Sequence, residues 1–194
     1  MAGLRVILAA VAILGTAPAA ANESAYTKLD LAACREEAPD ADDPLQSGVW
    51  WCAGYDGMPV RVAEGDLRFM VSYGDAAAAE RAATQTLPRF NTIGETLEWR
   101  LKSGADGTPR PIATILRYFT DADVEGGRKG QYLVITRLGP QGAVCQVGFV
   151  DALVNSDANA IAREVADNAA EGFDCATEEP LQYGLVGGDG DARE

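Results

Sequence analysis

From Val49 to Tyr73 the chain reads VWWCAGYDGMPVRVAEGDLRFMVSY, and its last run sets Leu67, Phe69, Val71 and Tyr73 against Arg68, Met70 and Ser72. A period of two is what a half-buried strand requires, because successive side chains leave a sheet on opposite faces. Val60 and Val62 form an earlier short run, and Glu64-Gly65-Asp66 between the two predicts a hairpin turn. Trp50, Trp51 and Tyr55 crowd the same stretch. Adjacent tryptophans on a strand must point to opposite faces, so one belongs to a core and the other is covered or faces a partner. Trp50, Trp51 and Tyr55 are therefore the candidate partner contacts, because large aromatics anchor interfaces when they are not core.

Cys52 lies inside this stretch, and the chain has four cysteines (Cys34, Cys52, Cys145, Cys175) and no histidine. Their redox setting follows from the N-terminus. Arg5 precedes an apolar run from Val6 to Leu14, and Ala19 and Ala21 give the small-x-small pattern of a signal-peptidase site. Gly15 and Pro18 keep the run short of the roughly 20 residues a membrane span needs. The expectation is a cleaved signal over 1–21 and a periplasmic or secreted mature protein with no membrane span. In that setting an even cysteine count reads as two disulfides. Pairing Cys34 with Cys52 closes the acidic, proline-containing loop 35–44, and a crosslink of that span stabilises by about 3 kcal/mol in the chain-entropy picture.

Removing residues 1–21 removes Arg5 and no acidic residue, which takes the net charge from −13 to −14. Such a charge argues against nucleic acid and anionic lipid, which require basic patches. It suits a cationic protein or a cell-envelope component as partner. Without histidine, Ser-His-Asp and Cys-His catalysis are excluded within the chain. No Cys-x-x-Cys spacing suggests zinc or thiol redox chemistry. The stretch Asp121-Ala-Asp-Val-Glu-Gly126 resembles the start of a calcium loop, but its twelfth position is Tyr132 where a bidentate glutamate is needed. No catalytic residue, metal ligand or cofactor is assigned.

Further along, Asp75 before the alanine-rich 76–83 segment and Pro88 after it predict a first helix. Leu97, Trp99 and Leu101 alternate with Glu98, Arg100 and Lys102, predicting a half-exposed strand. The runs 112–119 and 131–138 are apolar at nearly every position, as in central strands covered on both faces. A second helix follows Asn155-Ser-Asp157, with Ile161, Val165 and Ala169 on one face. A strand over 145–151 rises about 20 Å, and the helix returns about 24 Å, which brings Cys175 back to Cys145.

The segments Tyr26-Thr-Lys-Leu-Asp-Leu31, Trp51-Cys52 to Gly57, Glu64-Gly-Asp-Leu-Arg68 and Val150-Asp-Ala152 resemble a group of small exported proteobacterial proteins of uncharacterised activity. That resemblance implies export and disulfides, and no functional residue. The sequence thus predicts one α+β domain over 22–176: an antiparallel sheet of about six or seven strands, two helices and two disulfides, with a mobile acidic, glycine-rich tail over 177–194. The function it predicts is a non-catalytic periplasmic binding or interaction module. The alternatives are an inhibitor of a basic cell-wall hydrolase of the lysozyme type and a histidine-free, carboxylate-based hydrolase.

Overall fold

The computed structural model describes residues 22–38, 46–122, 127, 129–169 and 171–183. The signal segment, the acidic run 40–43, positions 123–126 of the calcium-like loop and the tail from 184 lie outside them. The strands are β1 (Glu23–Lys28), β2 (Arg35–Glu37), β3 (Gln46–Ala53), β4 (Pro59–Gly65), β5 (Arg68–Tyr73), β6 (Asn91–Ser103), β7 (Pro109–Thr120), β8 (Gly130–Arg137), β9 (Cys145–Asp151) and β10 (Leu181–Tyr183). A helix, α1 (Ala158–Ala169), stands between β9 and β10.

These strands form two sheets where the sequence predicts one. The larger has the order β1-β6-β7-β8-β9-β10 and the smaller β2-β3-β4-β5. All pairings are antiparallel except β9 with β10, so Leu181–Tyr183 extend the larger sheet within the segment assigned to the tail. Asn91 explains why β5 and β6 do not join the two sheets into one. Its backbone N–H donates to the Leu67 carbonyl and its side-chain Oδ1 accepts from the Phe69 N–H at 3.0 Å. Thr86 Oγ1 donates to the Phe69 carbonyl at 2.6 Å. The outer edge of β5 is thereby capped by side chains where a fifth strand would otherwise ladder.

The predicted first helix is also corrected. Residues Ala77–Ala79 and Arg81–Thr84 make two short 3₁₀ turns, broken at Glu80, whose backbone is extended (φ −78°, ψ 152°). Alanine favours a helix, but an isolated helix this short is marginal, and tertiary bonds decide. The buried Glu80 carboxylate accepts from the Gly142 N–H at 2.8 Å and the Val144 N–H at 3.1 Å, while the Ala82 N–H donates to the Val144 carbonyl. Those bonds stitch the segment alongside the start of β9 and require the break at Glu80. Among the described residues α1 is the one α-helix.

The result is three layers. The small sheet covers one face of the large sheet through Val60, Val62, Val71, Tyr73, Trp99, Leu116 and Tyr118, with the Tyr73 ring edge-on to Trp99 at 5.8 Å. Helix α1 covers the other face, where Ile115, Leu133, Ile135 and Val147 meet Ala162, Val165 and Ala166. β7 and β8 are buried on both faces, as their unbroken apolar runs predict. Cys34–Cys52 ties β3 to the turn before β2, and Cys145–Cys175 ties β9 to the segment after α1.

Candidate functional site

At one end the two sheets part, and a groove of about 640 Å³ opens between them. Its small-sheet wall is built by the β4–β5 hairpin and β3, which supply Glu64, Leu67, Phe69 and Trp50. The opposite wall comes from the ends of β7 and β8, with Phe119, Thr120, Gly130 and Gln131. Phe90, Asn91 and Thr92 lie between, at the start of β6. Leu67 (62% exposed), Phe90 (47%) and Phe119 (39%) show large apolar side chains to solvent here. Scattered exposed apolar groups are ordinary, whereas three converging on one concave surface make this the candidate site.

Local structure explains how the groove keeps its shape. The hairpin turn is Asp66-Leu67, because Gly65 pairs with Arg68. Both turn residues are left-handed, Asp66 at φ 51° and Leu67 at φ 59°. That is the turn hairpin twist prefers, and asparagine–glycine is its usual occupant. Leu67 is thus removed from the strand face the alternation assigns to it and placed in the groove. Asn91, itself 4% exposed, braces the floor: beyond its bond to Phe69 it donates to the Arg89 carbonyl at 2.8 Å and to Thr86 Oγ1 at 3.2 Å. The Phe90 carbonyl accepts from the Asp121 N–H at 3.0 Å, which joins floor and far wall.

Of the three aromatics proposed from sequence, the structure brings one to the groove. Trp50 stacks on Phe69 with ring centroids 6.5 Å apart. Trp51 lies on the opposite face of the small sheet, its Nε1–H donating to Glu37 at 2.6 Å and its ring beneath the Arg35 guanidinium at 5.9 Å. Tyr55 packs into the core against Trp99 at 6.3 Å. Both tryptophans are half-buried, so the opposite-face rule holds, but only Trp50 contributes to a concavity. Leu67, Phe90, Phe119 and Glu64 were not singled out from sequence as site residues. An aromatic lodged among turn formers, Phe90 between Pro88 and Asn91, and a leucine directly after Gly65-Asp66 were the available signals.

The groove's charges are few. Asp121 and Lys129 form an exposed ion pair at 3.3 Å on its rim. Glu64 lines the wall half-buried and has no hydrogen-bond or ion-pair partner among the described residues. Among those residues, no group of three or more histidine, cysteine, aspartate or glutamate side chains could hold a metal ion.

A second polar constellation lies on the other face of the large sheet. Arg163 holds Glu98 through two bonds (2.6 and 3.2 Å), Arg100 holds Asp167 (2.8 and 2.6 Å), and Lys102 meets Glu171 at 2.6 Å. Ser24 Oγ donates to Glu98 at 2.6 Å. Glu98 and Arg100, predicted to face solvent, are 7% and 6% exposed because α1 covers them. Each carboxylate here is matched by a cation, an arrangement that fastens an element and leaves no carboxylate free for acid–base chemistry. Comparison with protein-family models, with curated proteins and with solved structures finds no match.

Proposed function

We propose that this protein is an exported, non-catalytic binding module of the periplasm or the secreted fraction, and that its contact surface is the groove between the two sheets. One observation carries the reading: Leu67, Phe90 and Phe119 converge, exposed, on a concave surface with Trp50 and Phe69, and Leu67 is held there in a left-handed conformation. Non-glycine residues in that region cost energy and persist where the surrounding structure over-determines them, which is common at contact sites. Export rests on the N-terminal pattern of Arg5, the apolar run and Ala19-Ala20-Ala21. The carboxylate-hydrolase alternative has weaker support, since Glu98 and Asp167 are committed to arginines.

Two measurements test the reading. Mass analysis of the protein recovered from the envelope and culture fluid is expected to give Asn22 as its first residue; an intact Met1 start, found only in the cytosol, removes export. For the groove, a photoreactive residue at Phe90 is expected to form an adduct in intact cells that the same residue at Leu181, on the far edge of the large sheet, does not. Leu67→Ser is expected to abolish that adduct. Equal adducts from both positions, or none from Phe90, remove the groove as contact surface.

A further inference from the structure

The identity of the groove's occupant can be carried further from strand register, and this step rests on the groove being the contact surface. Gly48 on β3 pairs with Glu64 on β4, which pairs with Phe69 on β5. Directly opposed residues share a face, so these three form one cross-strand row on the groove side. Gly48 has no side chain, and the Trp50 indole, on the same face two residues on, folds back over it. A Cβ at Gly48 would lie 2.5 Å from the ring. The row therefore places Glu64 between the strands that carry the two rings, lining the same groove and with no partner of its own among the described residues.

An unpaired carboxylate beside aromatic faces has a definite selectivity. Ring faces are the negative side of the quadrupole, and a formal negative charge beside them rejects anions and attracts cations. For a strongly hydrated inorganic ion the ligand set is poor: Asp121 is paired with Lys129, and among the described residues no three histidine, cysteine, aspartate or glutamate side chains come together. Guanidinium fits best: it is planar, weakly hydrated, stacks on aromatic faces and bonds a carboxylate through a fork of donors. Lys129, across the groove, is already paired with Asp121 and so does not answer Glu64. A groove of about 640 Å³ exceeds one guanidinium, which leaves room for apolar neighbours on the same segment. The chain's net charge of −13 steers a basic partner toward it.

We propose that the groove binds an arginine side chain of a basic partner protein, presented on an extended segment between apolar residues, with Glu64 as its counter-ion and Trp50 and Phe69 as its aromatic platform. The test uses two fluorescently labelled, end-blocked heptapeptides, one with a central arginine among leucine and phenylalanine, the other with neutral citrulline in its place. At 20 mM salt the arginine peptide is expected to bind the mature protein about tenfold more tightly than the citrulline peptide, and the gap is expected to narrow at 200 mM salt. Glu64→Gln is expected to erase the gap by weakening the arginine peptide about tenfold. Its melting temperature should match the parent's, since Glu64 makes no hydrogen bond or ion pair among the described residues.

Equal binding of the two peptides, or a gap that survives Glu64→Gln, overturns the arginine assignment and leaves the groove as a contact surface. Binding of neither overturns it too, and the adduct at Phe90 then decides the groove separately. Tetramethylammonium competing at the peptide's own affinity would assign the site to a small organic cation and overturn the peptide occupant.

Discussion

Leu67 shows at the scale of one residue how contact and stability oppose each other. At φ 59° its Cβ crowds the backbone, a cost of about 1–2 kcal/mol for an L-residue that glycine escapes. Glycine gives back part of the gain through the freedom it has in the unfolded chain, about 0.5–1 kcal/mol. Leu67→Gly is therefore expected to stabilise the protein by about 0.5–1 kcal/mol in urea unfolding. The same substitution removes the most exposed of the large apolar side chains and should weaken arginine-peptide binding several-fold. Loss of stability would show that the turn is not strained as described. Asn91 makes the opposite case, because its bonds are buried and have no substitute. Asn91→Ala removes the acceptor of the Phe69 N–H and one donor to the Arg89 carbonyl, and the expected cost is about 2–3 kcal/mol. Peptide binding should fall with it, since the residue braces both the hairpin and Phe90.

Among elements, α1 and β6 are matched in length scale as well as in charge. Arg163 and Asp167 stand four residues apart on α1, a rise of about 6 Å along a helix, and Glu171 follows at the same interval just past its end. Glu98, Arg100 and Lys102 recur every second residue, about 6.6 Å along a strand. The two repeats stay in step over the two helical rungs, which is why Glu98 and Arg100 are buried, while Lys102, opposite Glu171, stays exposed. Hydrogen bonding to Glu98, against a smaller desolvation penalty, holds the Arg163 guanidinium above its already high ordinary range, so this cation does not discharge as pH rises. Arg163→Met leaves the buried Glu98 carboxylate with only the Ser24 hydroxyl and is expected to cost about 2–3 kcal/mol. Adding Glu98→Met should restore most of that loss, since two apolar groups replace a pair and leave no orphan charge. A double-mutant cycle in urea reads the coupling; additive losses would mean the ladder does not hold the helix.

This rung also marks the limit of what the sequence discloses. The alternation over 97–102 was legible as a strand, and the polar residues near 163–167 as a helix face. That the two polar faces meet depends on which side of the sheet the helix crosses, and no local pattern states that. The alanine segment fails for a related reason. Its propensity is local, while the bonds from Glu80 to 142–144 that break it come from residues some sixty positions away. Disulfide pairing was readable because element lengths and loop spans limit which cysteines can meet. The groove was largely hidden, since Trp50, Glu64, Phe69, Phe90 and Phe119 come from separate strands and turns and share no motif.

In the whole molecule, the two disulfides and the groove are placed apart. In the small sheet the groove takes the end bearing Gly48, Glu64 and Phe69, while Cys52 lies toward the end bearing Val60 and Tyr73. In the large sheet the groove takes Thr120 and Gly130, while Cys145 pairs with Arg137 at the other end of β8. The bonds thus fasten separate sheets, and both lie away from the open mouth. Their sequence separations of 18 and 30 residues set what each contributes. Loop-closure entropy gives about 3 kcal/mol for Cys34–Cys52 and about 4 kcal/mol for Cys145–Cys175. Replacing Cys145 and Cys175 with alanine should therefore be the costlier change, and it should free the segment after α1. That segment is otherwise held by the Arg81 guanidinium on the Cys175 and Glu178 carbonyls, by Arg137 on the Phe173 carbonyl, and by the three residues of β10. Hydrogen exchange is expected to speed up over 173–183 before it does in β7 or β8. At a temperature where the variant remains folded, arginine-peptide affinity should stay within about twofold of the parent's, since a bond at the fastened end does not shape the mouth. A tenfold loss would mean that the groove takes its geometry from the far end, and that the two sheets move as one body about their shared core.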